Sequence, residues 1–230
     1  MKSETLLLDE PLAAGEYKSI RLIVDAVEGE RDSYIVLDAG GGEHELQVPS
    51  GSTSGFKLDG SFTVVAGQSV NFTIDFDVRK SIVRTGTPKN PDTVKYLLKP
   101  VLRIVQNDSA GHITGKVAPA LLDDASCSDT DPATFNSVYV FSGAGVTPDD
   151  IDGDGGDPLT PSLVTLDTES GDYRYEVGFL PEGEYTIAFT CNVDAEITDV
   201  ENGHVDNDLK FTGIQDVQVT AGQTAEADFQ

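Results

Sequence analysis

Tryptophan is missing from the 230 residues, methionine occurs once, cysteine twice and histidine three times. His44, His112 and His204 stand apart from one another and from any Cys/His set at ligand spacing, which excludes the usual zinc centres. Basic side chains are scarce too. Fifteen lysines and arginines against forty aspartates and glutamates leave a formal charge of −25, which repels nucleic acid phosphates and anionic membrane surfaces. Cationic partners and divalent metals fit it better. No apolar run approaches the roughly 18–20 residues of a membrane span, and the opening "MKSETLLLDE" lacks the basic, apolar and small-residue order of a signal peptide. Long 3.6-residue periodicity is also missing, which leaves little room for helices.

What is present is period-two alternation. Val70, Phe72, Ile74, Phe76 and Val78 fall on one side, with Asn71, Thr73, Asp75, Asp77 and Arg79 on the other, as in a half-wetted strand. The same rhythm runs through "YKSIRLIV", "YLLKPVLRIV" and "DYRYEVGFL". In "YLLKPVLRIV", Tyr96, Leu98, Pro100, Leu102 and Ile104 share the apolar face and Lys99 and Arg103 the other, while Pro100 marks an edge or a bulge. The class is therefore all-β, with short helical turns expected at "APALLDDAS" and from Thr147. At Thr147, threonine, Pro148, Asp149 and Asp150 read as N-cap, first-turn proline and dipole-favoured acids.

Two phrases occur twice in the same order. "LAAGEY" at 12–17 returns as "LPEGEY" at 180–185, and "VVAGQSVNFTIDF" at 64–76 is echoed by "VTAGQTAEADF" at 219–229. Unequal spacing between the phrases argues against a solenoid and for two related modules with loops of different length. The polar cluster "QNDSAGH" at 106–112 separates them. The expected architecture is two β-sandwich domains in tandem, immunoglobulin-like or prealbumin-like, over residues 1–108 and 109–230.

In "EYTIAFTC" the alternation puts Cys191 on the inward face with Tyr185, Ile187 and Phe189. Cys127 and Cys191 are expected to form one bridge in an oxidising compartment, two buried thiols being the alternative.

The phrases "LLLDEPLAAGEYKSIRLIV", "GFKLDGSFTVVAGQSVNFTIDFDVRKSI" and "YLLKPVLRIV", spanning about 5–105, resemble the bacterial family called domain of unknown function 4382. The second half, with "ITGKV", "SVYVFSGAGVTPDDID" and "YRYEVGFLPEGEYTIAFTC", is similar to carboxypeptidase-regulatory-like and transthyretin-like sandwiches. The resemblance implies an exported cell-envelope protein, often lipid-anchored through a segment preceding this chain. It implies no activity. Family members carry further strands before the point where this chain begins. Without them a sheet edge of the first module stands unpaired and open to a partner strand.

"PDDIDGDGGDP" at 148–158 is the densest chemical signal. Asp150, Asp152 and Asp154 followed by Gly155 match the first half of a D-x-D-x-D-G calcium loop, with Asp149 and Asp157 as additional ligands. Pro161 occupies the place of the bidentate glutamate, so an EF-hand is excluded, and a solvated loop is the competing reading. The acids of 191–208 (Asp194, Asp199, Asp206, Asp208) match no ligand pattern. Seven of the fifteen cations lie between Arg79 and Arg103 against one acid, Asp92. Arg79, Lys80, Lys99 and Arg103 are a docking patch for an acidic partner or are paired with Asp75 and Asp77.

"GSTSG" at 51–55 places Thr53 where a nucleophile elbow needs serine, and no phosphate loop is present. These features point to a non-enzymatic structural, adhesive or scaffold element, with other copies or cell-surface glycans as partners. Two alternatives stay open. A carbohydrate-binding module would use Tyr34, Tyr96, Tyr139, Tyr173 and Tyr175, and a subunit could assemble by strand donation.

Overall fold

The computed structural model describes residues 11–37, 42–49, 54–77, 81–86, 94–124, 127, 136–151, 156–192 and 209–230. The fold is all-β, of β-sandwich architecture. Among the described residues, the helix Pro119–Leu122 is a single turn, opened by proline at its first position, where no amide is needed. It lies within the expected "APALLDDAS". The second expected turn does not form: residues 146–150 are not helical. There, Ile151 is drawn onto a sheet face, and burial outweighs the local capping preference.

The first eight strands are β1 (Gly15–Leu22), β2 (Tyr34–Leu37), β3 (Gly42–Gln47), β4 (Phe56–Val64), β5 (Phe72–Asp77), β6 (Ile82–Thr85), β7 (Lys95–Leu98) and β8 (Val101–Gln106). They pair only among themselves, as β1-β4, β2-β3-β7-β6 and β5-β8. Phe62 of β4 stacks on Tyr17 of β1 at 5.2 Å and meets Phe72 of β5 at 4.4 Å, which packs the first ladder against the third. Among the described residues, the buried apolar side chains here are Leu58, Phe62, Val64, Val83, Tyr96 and Val105.

"YLLKPVLRIV" is two strands rather than one. Proline has no amide to give a ladder, and the chain changes sheets at Lys99–Pro100, with β7 joining β3 and β6 while β8 joins β5. Ser81 clasps the corner. Its carbonyl accepts from the Lys99 amide at 2.8 Å and its hydroxyl from the Val101 amide at 2.8 Å. The single apolar face expected across Pro100 is thereby split, and the best-buried side chain of β8 is Val105, on the Arg103 side, rather than Ile104.

The remaining strands are β9 (Ala110–Val117), β10 (Ser137–Ser142), β11 (Thr160–Leu163), β12 (Thr165–Leu166), β13 (Tyr173–Pro181), β14 (Gly183–Thr190), β15 (Thr212–Val219) and β16 (Thr224–Glu226). They form two four-stranded sheets, β11-β10-β14-β15 and β12-β13-β9-β16. Val138, Val140, Tyr185, Ile187 and Phe189 of one sheet meet Ile113, Val117, Tyr175, Val177 and Leu180 of the other in a single core. Side chains alternate across a strand, so this core takes every second residue of β10 and β14, while a bulge in β13 between Val177 and Leu180 shifts the alternation there.

The C-terminal segment closes the sandwich. β16 runs parallel to β9, and a Cβ on Gly115 of β9 would sit 1.8 Å from the Ala227 carbonyl oxygen. Only glycine permits that approach. The carbonyl also accepts the buried Tyr175 hydroxyl at 2.7 Å.

The repeated phrases build the same unit twice. Gly15, Glu16 and Tyr17 pair with Val64, Thr63 and Phe62; Gly183, Glu184 and Tyr185 pair with Val219, Gln218 and Val217. In each case the paired valine precedes a turn closed by a glutamine amide, Gln68 to the Val65 carbonyl at 3.0 Å and Gln223 to the Thr220 carbonyl at 3.1 Å. Gly67 (φ 78°) and Gly222 (φ 70°) supply the positive φ that such turns require. By this correspondence β1 matches β14 and β4 matches β15.

Candidate functional site

The aspartate-rich segment leaves β10 and returns to it. The Leu159 amide donates to the Val140 carbonyl at 2.7 Å, and β11 then runs antiparallel to β10. A latch holds the departing end. The Gly145 amide donates to Asp216 Oδ1 at 2.9 Å and the Val146 amide to Thr186 Oγ1 at 3.0 Å. The fully buried Thr186 hydroxyl lies 2.9 Å from the Gly143 carbonyl and 2.7 Å from Asp216 Oδ1. Hydrogen bonds from the Gly145 amide and the Thr186 hydroxyl hold the Asp216 carboxyl below the usual carboxylate range.

From this latch the segment folds onto the outer face of its sheet. Ile151 packs with Tyr139, Phe141 and Ala188, and Val146, Leu209 and Phe211 close around them. Phe211 meets Tyr139 in a tilted contact at 5.4 Å and Phe141 edge-on at 6.1 Å. β10 and β14 are thus buried on both faces, by the core inside and by this cap outside. The apolar run "SVYVF" records that double burial.

Asp149, Asp150 and Asp157 are the described members of the predicted ligand set; Asp152 and Asp154 lie outside the described residues. Asp150 is 1 % exposed, carried inward beside Ile151, and its amide bonds Asp149 Oδ1 at 3.1 Å. The two ends of the segment converge, for a Cβ on Gly156 would lie 3.4 Å from Asp149 Oδ2. Among the described residues no group of three or more metal-ligating side chains assembles.

Cys127 and Cys191 are joined in a disulfide, Cα–Cα 5.1 Å. The bridge ties the segment after the helical turn to the end of β14, and Cys191 packs against the core with Tyr185, Ile187 and Phe189, as the alternation required.

Within the basic patch, Arg79 and Lys80 lie outside the described residues. Arg103 is paired: its Nη2 donates to Asp75 Oδ2 at 2.7 Å across the β5-β8 ladder. Lys99 is exposed at the β7-β8 corner. Arg103 also faces the second strand set. Burial pushes the Tyr185 hydroxyl pKa up, and the Arg103 charge opposes that shift.

Two grooves carry titratable side chains. One, between β8 and the capped loop, is lined by Val101, Phe141, Val146, Asp157 and Leu159, and Asp157 is its one titratable wall residue among those described. The other holds Asp172 and Asp228 beside Lys116. There Lys116 Nζ pairs with Asp172 at 2.6 Å and the Lys116 amide donates to Asp228 at 2.7 Å, so both carboxylates are committed to structure. The Lys116 hydrogen bond holds the Asp172 carboxyl below its ordinary range. Of the tyrosines considered for sugar stacking, Tyr139, Tyr175 and Tyr96 are buried, Tyr173 is half-buried and Tyr34 is exposed.

Sequence reasoning missed the latch. Thr186 and Asp216 sit in strands as ordinary alternating residues, and only the pairing of β14 with β15 brings them together.

No curated protein matches the chain in sequence. Among solved structures, the Bacillus anthracis TIE protein is similar at 12 % identity with a TM-score of 0.26; the match covers 94 % of this chain and 34 % of that one. The minor pilin of the gram-positive pathogen Streptococcus agalactiae is similar at 11 % identity and a TM-score of 0.24, covering 95 % of this chain and 82 % of that one. The chain thus spans about a third of the length of the first of these. Residues 1–100 match the family described as "Domain of unknown function (DUF4382)".

Proposed function

We propose that the chain is an exported, non-enzymatic element of a cell envelope or cell surface, in which units 1–108 and 109–230 serve as a structural or adhesive scaffold. The observation that carries this reading is the Cys127–Cys191 bridge. Disulfides persist in oxidising compartments and are rare in reducing cytosol. The two-face burial of β10 and β14 supports it, since it spends the aspartate-rich loop on rigidity. The likeness of residues 109–230 to carboxypeptidase-regulatory-like sandwiches belongs to the same reading.

Fractionation of source cells with thiol labelling tests it. The expected result is protein outside the cytosol whose two cysteines alkylate only after reduction. Cytosolic protein with both thiols freely alkylated overturns it.

Calcium belongs to the proposal as a stiffener of the 149–157 loop. The approach of Gly156 to Asp149 supports it, because it brings the two ends of the aspartate-rich segment near one another. Calorimetry with millimolar calcium, with Asp152→Ala and Asp154→Ala as controls, is expected to show weak binding, on the order of 10⁻⁴ to 10⁻³ M. Absence of heat and of a thermal shift removes calcium and leaves the scaffold role standing.

For the carbohydrate alternative, burial of Tyr96, Tyr139 and Tyr175 leaves Tyr34 exposed and Tyr173 half-buried.

A further inference from the structure

We draw no further inference here: the strongest candidate, the groove between β8 and the capped loop lined by Val101, Phe141, Val146, Asp157 and Leu159, is a largely apolar face, and nothing in the structure shows what covers it.

Discussion

The Tyr185 hydroxyl donates to the carbonyl of Pro181, four residues earlier, at 2.7 Å. Tyr17 does the same to Ala13, also four residues earlier, at 2.9 Å. The phrase L-x-x-G-E-Y thus encodes a tyrosine corner, in which an aromatic at the start of a strand ties the incoming chain to the sheet. Its two copies differ in burial: Tyr185 is buried, Tyr17 only half-buried. A hydrogen bond is costly to lose where solvent cannot replace it. Tyr185→Phe is therefore expected to lower stability by about 1 kcal/mol, and Tyr17→Phe by less, in urea unfolding of the two variants. Equal effects would mean that the two corners are equally wetted.

The Cys127–Cys191 bridge closes a loop of 64 residues in sequence separation. Its removal by Cys127→Ala/Cys191→Ala should cost about 4 kcal/mol if it acts by restricting the unfolded chain. Denaturant midpoints of the variant and of the reduced native protein should then agree. A bridge worth under about 1 kcal/mol would mean the ends are held together without it.

Ile151 seals the outer face of β10 and β14 with 5 % of its surface exposed. Ile151→Ala should destabilise by about 2 kcal/mol or more through lost burial and the void left behind. It should also speed exchange of the Val146 amide. Unchanged exchange there would separate the cap from the latch.

Asp216 makes the latch sensitive to acid. Its carboxyl titrates below the ordinary aspartate range in the folded chain, because the Gly145 amide and Thr186 hydroxyl bind the ionised form. A lowered folded pKa contributes stability above the unfolded pKa, and that contribution is lost as pH falls through the folded value. Asp216→Asn should melt below the native protein at pH 7, and the gap should close as pH drops below about 3.8. A gap independent of pH would show that ionisation of Asp216 does not matter.

Several particulars show how far the residues speak for themselves. The inward Cys191 was readable because one strand carries both the alternation and the cysteine. The two-sheet nature of "YLLKPVLRIV" was half readable: Pro100 announced a break, but where β7 and β8 went depended on Ser81, a distant side chain that satisfies the amides around it. The burial of Asp150 was not readable. Local spacing aimed it at a cation, while its neighbour Ile151 is held by a sheet face built from residues far along the chain.

The order of amino acids by itself determined the all-β class, the doubled phrases with their turns, and the inward placement of Cys191, because each rests on period-two patterning or on local backbone preference. Tertiary structure alone decided that β10 and β14 are covered on both sides, that Thr186 and Asp216 lock the loop, and that Ser81 satisfies both amides of the β7-β8 corner. Those outcomes depend on which strand lies beside which, and pairing between distant segments is set by the packing of whole sheets rather than by any one stretch of chain.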